Sequence, residues 1–311
     1  MIRSMRSAGL LALALSAGMM STSCFGLDGF LFTGTPEDSY TLPYPPNWPA
    51  NFTVPETMRE VRSVTGADGT VAWIVWLHHD PAMTATVPTI LYSHGQSANI
   101  DRYYERASLL WGLGNNVVIY DYPGYGKTPG HPTETSCYAT ANAAMGFIQG
   151  LGAQIDQTKI FQYGFSMGTG LATHMAAFGP RVRGLILEAP FTSVDALVAD
   201  GALVVPASFL INASFNNLAK IVRAAQNTQN GVLIFHGTHD TYVQTKYGRQ
   251  LDQALADAEA NGDIPPMHHH LELIDGADHS EVPCVGPGDN PCVLRPLNSP
   301  YFVQLQAFLA R

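Results

Sequence analysis

A serine hydroxyl attacks a carbonyl carbon only when a neighbouring base takes its proton and fixed donors hold the oxyanion that forms. Gly164-Phe165-Ser166-Met167-Gly168 offers a serine in that setting, between a strand-like run ending at Tyr163 and an Ala-rich run of helical length. The G-x-S-x-G spacing has a steric reason. A sharp strand-to-helix turn exposes the serine, and flanking glycines lack the Cβ atoms that would collide as strand and helix close together. The Met167 N–H then stands at a helix N-terminus, where partial positive charge favours an oxyanion. A base, and a carboxylate to orient it, are required elsewhere in the chain. His279, in Asp275-Gly276-Ala277-Asp278-His279, and Asp240, in His236-Gly237-Thr238-His239-Asp240, each follow a strand-like run. Asp275 and Asp278 adjoin His279 but do not easily bend back to its ring, and His239 follows the wrong strand for a base. Asp195, beyond the run ending at Glu188, is the alternative acid. A second oxyanion donor is expected from the Gln96 N–H in His94-Gly95-Gln96-Ser97, with His94 as a buried brace for that loop.

Four cysteines and a histidine triplet also carry reactive groups. Cys284 and Cys292 bracket a Gly/Pro/Asn loop that can turn back on itself, which fits a local disulfide. A metal pair there lacks a second Cys or His pair at zinc spacing. Cys137, in an Ala-rich stretch, reads as a small core residue. His268-His269-His270 open a strand pattern that sends alternate side chains to opposite faces, so a structural role is expected of them. Residues 1–6 hold two arginines and no acid, residues 8–20 are almost wholly apolar or small, and residues 21–23 are small. These are the regions of a signal peptide over residues 1–23, and they imply export to the periplasm or the extracellular space. Cys24 stands where a bacterial lipoprotein signal places its lipidated cysteine, although Ser21 departs from the branched aliphatic residue of that signal. Lipidation of Cys24, with a membrane tether, and simple cleavage both stay open.

The reactive residues need elements to position them. Short apolar runs of strand length, at residues 89–93, 117–121, 159–163, 184–188, 232–236 and 269–274, alternate with helical stretches near 102–113, 135–149, 167–178 and 245–260. That alternation predicts a mostly parallel sheet built from βαβ crossovers. Residues 60–64 and 71–77 flank a Gly66-Ala67-Asp68-Gly69 turn and predict an antiparallel pair opening the sheet. A last helix is expected over 301–310, and residues 24–57 read as an irregular Pro-rich lead-in. In such sheets ligands bind beyond the carboxyl ends of the strands, where Gln96, Ser166, Asp240 and His279 all fall. With 46% hydrophobic and 13% charged residues the chain is globular, and a net charge of −9 argues against nucleic acid as a partner.

Leu91-Tyr92-Ser93-His94-Gly95-Gln96, Asp121-Tyr122-Pro123-Gly124-Tyr125-Gly126, the Ser166 pentapeptide, Glu188-Ala189-Pro190-Phe191 and Phe235-His236-Gly237-Thr238-His239-Asp240 resemble motifs of the α/β-hydrolase superfamily. Within it they are similar to short-capped serine hydrolases, a group that includes esterases and protein depalmitoylating thioesterases. The order Ser166, Asp240, His279 is that of the superfamily. The resemblance implies one hydrolase domain over residues 58–311, with a short cap at about 191–230. It also implies hydrolysis of a carboxylic ester or thioester through an acyl-Ser166 intermediate, on a small-molecule ester or acyl substrate and with no cofactor. A peptidase or aminopeptidase reading, and a non-catalytic binding module on the same fold, are the alternatives. Residues 201–219 contain no charged residue, which suits an apolar cap beside Ser166 and equally an ordinary packing segment. The oligomeric state is not legible in the sequence.

Overall fold

The computed structural model describes residues 31–201, 212–285 and 293–311. The signal region with Cys24, the middle of the uncharged segment, and Cys292 lie outside these residues. Eight strands form one sheet: β1 (Arg59–Thr65), β2 (Val71–Leu77), β3 (Thr89–Ser93), β4 (Asn116–Tyr120), β5 (Ile160–Phe165), β6 (Gly184–Glu188), β7 (Val232–Gly237) and β8 (His269–Ile274). Their spatial order is β1-β2-β4-β3-β5-β6-β7-β8. β1 and β2 are antiparallel, β2 meets β4 antiparallel, and every pairing from β4 to β8 is parallel. The sequence therefore predicts the sheet class and its antiparallel opening correctly.

The helices are α1 (Pro81–Thr84), α2 (Ile100–Gly112), α3 (Glu134–Gly150), α4 (Gly168–Phe178), α5 (Val194–Ala199), α6 (Ile221–Gln226), α7 (Lys246–Ala260) and α8 (Pro300–Leu309). Caps fix several starts: Asn99 accepts from the Asp101 N–H ahead of α2, and Thr133 and Ser136 form a reciprocal capping box at α3. A strand with both faces covered is mostly apolar, and β3 and β4 are buried along their whole length, with polar residues only at their ends. Ile90 and Tyr92 point to the layer of α2 and α8, while Leu91 points to the layer of α3 and α4. On the second layer α6 and α7 seal Leu185, Leu187, Val232 and Ile234 with Ile221, Ala224, Leu251 and Leu255. Each such fully buried aliphatic side chain contributes about 1.5–3 kcal/mol.

The lead-in is irregular but anchored. Leu42, Phe52 and Val54 are buried against the α2 layer, and the Asp101 carboxylate accepts from the N–H groups of Thr41 and Leu42. Past the sheet, β9 (Cys284–Val285) and β10 (Val293–Leu294) pair antiparallel, with Leu294 opposite Cys284. The chain thus returns beside Cys284, as the expected local disulfide requires; its other half, Cys292, lies outside the described residues. Among the described residues no helix is long and apolar enough to cross a membrane.

Candidate active site

β5 runs straight into the serine turn. Gly164 and Phe165 are still paired in the sheet, so Ser166 has to reverse direction before α4 begins. It does so at φ 51°, a left-handed conformation that costs a non-glycine residue about 1–3 kcal/mol. The surroundings hold it there: the Ser166 N–H donates to the Glu188 carbonyl at 2.9 Å, and the Ser166 carbonyl accepts from the Thr169 N–H at 2.9 Å and the Thr169 hydroxyl at 2.6 Å. The glycines are sterically obligatory. A Cβ on Gly164 would sit 2.5 Å from the Gly168 carbonyl oxygen, and one on Gly168 would sit 2.0 Å from that of Ser93.

The loops after β7 and β8 bring the two partners to this serine. His279 Nε2 lies 2.9 Å from Ser166 Oγ, and its Nδ1 lies 2.8 Å from Asp240 Oδ2. The carboxylate fixes the tautomer: Nδ1 carries the proton it donates to Asp240, and Nε2 is left to accept from the serine hydroxyl. Asp240 Oδ1 accepts from the N–H groups of Tyr242 at 3.0 Å and Val243 at 2.7 Å, which sets the carboxylate's orientation. Burial alone would raise its pKa, but hydrogen bonds from His236 and His279, and their charges, hold it down at about 2.

Of the competing residues, none reaches the His279 ring. Asp278 accepts from the N–H groups of Thr241 at 2.9 Å and of His279 itself at 2.8 Å, and Asp275 from the Thr238 hydroxyl at 3.3 Å. Asp195 accepts from the Ser214 hydroxyl at 2.9 Å. His94 is fully buried, with Nε2 3.2 Å from Asp121 and its ring stacked on Tyr122.

The expected oxyanion donors sit on the loop after β3 and directly before α4. Neither the Gln96 nor the Met167 N–H meets an acceptor among the described residues. Hydroxyls of Thr33 and Tyr125 donate to the Gln96 carbonyl at 3.1 and 3.0 Å, the carbonyl of the peptide that carries the Gln96 N–H, that of Gly95, lies 2.7 Å from His94 Nδ1, and the Gln96 side chain donates to the Tyr242 hydroxyl at 2.7 Å. The Tyr242 ring in turn lies 5.2 Å from that of His279. Outside the site, Cys137 is buried in α3, where burial pushes its thiol pKa upward. His268, His269 and His270 contact the Ala225 carbonyl, Asp252 and Glu272 respectively, each facing a different neighbour.

Two features escape the sequence analysis. His236, buried at the end of β7, places Nε2 2.7 Å from the Val243 carbonyl and 3.4 Å from Asp240 Oδ2. Its spacing of four residues before Asp240 is visible in the motif, but which way the ring turns is a tertiary fact. The other is a buried ion pair, Arg106 with Glu188, lying behind Phe165.

A family model described as serine aminopeptidase, S33, matches residues 85–228, which include Ser166 but neither Asp240 nor His279. An uncharacterized protein of Mycobacterium tuberculosis is 32% identical over 190 residues, 61% of this chain and 66% of that protein. The lysophosphatidylserine lipase ABHD12 of Danio rerio is 28% identical over 200 residues, 59% of this chain and 52% of that one. The chain thus spans about two thirds and about half of the length of these relatives. Among solved structures, an esterase of Pyrococcus furiosus superposes with a TM-score of 0.59 at 17% identity, covering 88% of this chain and 98% of that one. With the strand order, the glycine-flanked turn after β5 and the loops that reach it already in place, the chain has the α/β-hydrolase fold.

Proposed function

We propose that the protein is a serine hydrolase that cleaves a carboxylic ester or thioester through an acyl-Ser166 intermediate. The observation that carries this reading is the unbroken run from Ser166 Oγ through His279 to Asp240, at 2.9 and 2.8 Å. Ser166 Oγ attacks the carbonyl carbon as its proton passes to His279 Nε2, and the Gln96 and Met167 N–H groups receive the oxyanion. Collapse expels the alcohol or thiol, which takes its proton from His279. Water, deprotonated by the same nitrogen, then attacks the acyl-enzyme and frees the acid. Asp240 stays ionised throughout and stabilises the imidazolium that forms.

p-Nitrophenyl esters of rising acyl length, assayed on the wild type and Ser166→Ala, test this reading. Loss of at least about 10³-fold in kcat is expected for the variant; turnover that survives the substitution overturns the mechanism. The name of the matching family model favours an aminopeptidase as the second reading. Fluorogenic aminoacyl amides separate the two, since the ester reading expects them to turn over far more slowly than esters.

The first 23 residues support export, and Cys24 a membrane tether if it is lipidated. In an oxidising compartment the paired β9 and β10 would allow Cys284 to bond Cys292. Intact mass of the mature protein, with and without reductant, tests both: a lipid adduct on Cys24 and a two-proton deficit are the expected signs.

A further inference from the structure

The buried ion pair behind the site lies among the groups that position Ser166 and His279. Arg106 projects from α2 into the core, and both it and Glu188, the last residue of β6, are almost fully buried. Arg106 Nη1 donates to Glu188 Oε1. Its Nη2 donates to the Ser280 carbonyl at 2.7 Å, on the residue directly after His279. The guanidinium also lies over the Phe165 ring, 4.1 Å from its centroid. Phe165 directly precedes Ser166, and its ring is 5.3 Å from the His279 imidazole. Glu188 completes the arrangement from the other side. Its carbonyl accepts the Ser166 N–H, and Oε2 accepts from the Tyr163 hydroxyl at 2.6 Å, which is linked to that of Tyr301 at 2.9 Å.

Stability is a poor reason to bury such a pair, because desolvating two charges offsets most of their attraction. The contacts give it a different use. The base rides on a loop, and loops move unless something ties them to a rigid element. The loop carries other ties, including Arg295 Nε to the Glu281 carbonyl at 3.0 Å, and Arg106 joins its backbone to the elbow's own neighbours, Phe165 and Glu188.

We propose that Arg106, oriented by Glu188, is a positioning residue that holds the His279 loop in register with Ser166. Arg106 touches no reacting atom and acts through Ser280 and Phe165. The inference rests on the serine-hydrolase reading for its kinetic consequence, but the tether itself is a physical property of the folded chain. A misplacement of about 1 Å between base and nucleophile costs on the order of 10²-fold in rate. Loosening the loop therefore acts on kcat and leaves KM, set by groups that bind the substrate, nearly unchanged.

The test uses two variants of the full chain. Arg106→Lys keeps the charge but has no planar fork to serve Glu188 and Ser280 together. Arg106→Met with Glu188→Gln removes both charges, so no unpaired one is left buried, and keeps an acceptor for Tyr163. Hydrogen exchange of the peptide spanning 276–284 is expected to quicken by at least about tenfold in both, with β5 still protected. On the best p-nitrophenyl ester, kcat should fall by about 10- to 100-fold with KM within about twofold. Unchanged exchange in that peptide overturns the tether whatever the activity, and faster exchange with unchanged kcat overturns the positioning role. If the wild type hydrolyses no ester and Ser166 is not labelled by a fluorophosphonate, the serine-hydrolase reading fails, and the exchange data alone decide the tether.

Discussion

Four carboxylates compete for one imidazole in the sequence, and a single hydrogen bond distinguishes them in the fold. Asp240 Oδ2 meets His279 Nδ1 at 2.8 Å, whereas Asp278, its immediate neighbour, points back to the Thr241 and His279 backbone. The difference is directional. A residue next to His279 has a side chain that caps its own loop, and only a second loop can approach the ring from outside. Asp240→Asn keeps the size but offers an amide that can turn its N–H toward the ring and favour the wrong tautomer. A fall in kcat of roughly 10³-fold or more is expected, of the order seen when the acid of a serine protease triad is changed in this way. Asp278→Asn should cost less than about tenfold. Equal losses in the two variants, measured on the same ester, would remove Asp240 from the role proposed for it.

The turn that presents Ser166 exists because two elements come closer than ordinary side chains allow. α4 starts almost on top of β3, so that a Cβ at Gly168 would lie 2.0 Å from the Ser93 carbonyl and 2.7 Å from that of His94. Gly168→Ala must push the helix away or shift the loop that carries Gln96. The expected cost is about 3 kcal/mol, a drop in thermal midpoint of roughly 6–12 °C. Gly146, exposed within α3, has nothing within 4 Å of the same position, and Gly146→Ala should stabilise by about 1 kcal/mol through helix propensity. Calorimetry on the pair checks the steric argument, because a similar response at both sites contradicts it. These elements differ in how far the sequence reveals them. β3 and β4 are built on the apolar runs Ile90–Tyr92 and Val117–Tyr120 and are readable at once, and β5 is readable except for its last two residues, which continue the pairing into the elbow. α5 and α6 have six residues each, too short for a 3.6-residue period to stand out, and they escape notice. Ser166, Asp240 and His279 are readable because each follows a strand, a position that the topology makes special. Arg106 and Glu188 lie 82 residues apart on a helix and a strand, and nothing local marks either as the other's partner.

At the scale of the whole molecule, acid should lower the stability of the protein over two separable pH windows. His174 in α4 stacks on Tyr138 with ring centroids 3.5 Å apart, beside Lys220 and Glu134. Burial and the Lys220 ammonium, opposed by Glu134, push its pKa down from 6.5 to about 4. The native state therefore resists protonating this ring while the unfolded chain does not. Its contribution is complete above pH 6.5 and is lost as the pH falls to about 4. The ring is partly exposed, so the effect is discounted to about 1–2 kcal/mol. Asp240 acts in a lower window. Its carboxyl is held at about 2 against 3.8 in the unfolded chain, and its contribution, about 2 kcal/mol, is complete above pH 3.8 and is lost as the pH falls toward 2. It follows that Asp240 stays ionised at any pH where the fold is secure, so an acid limb in the rate profile above pH 4 belongs to another group. His174→Phe keeps the stack on Tyr138 and removes the titration. Relative to wild type, its unfolding free energy in urea should become less dependent on pH between 6.5 and 4, with the slope below 4 preserved. Asp240→Asn should do the reverse, flattening the curve below pH 4 and leaving the upper window intact. If His174→Phe unfolds with the wild-type slope across the upper window, the ring is titrating as a solvated histidine, and the packing of α4 on α3 around it is looser than described.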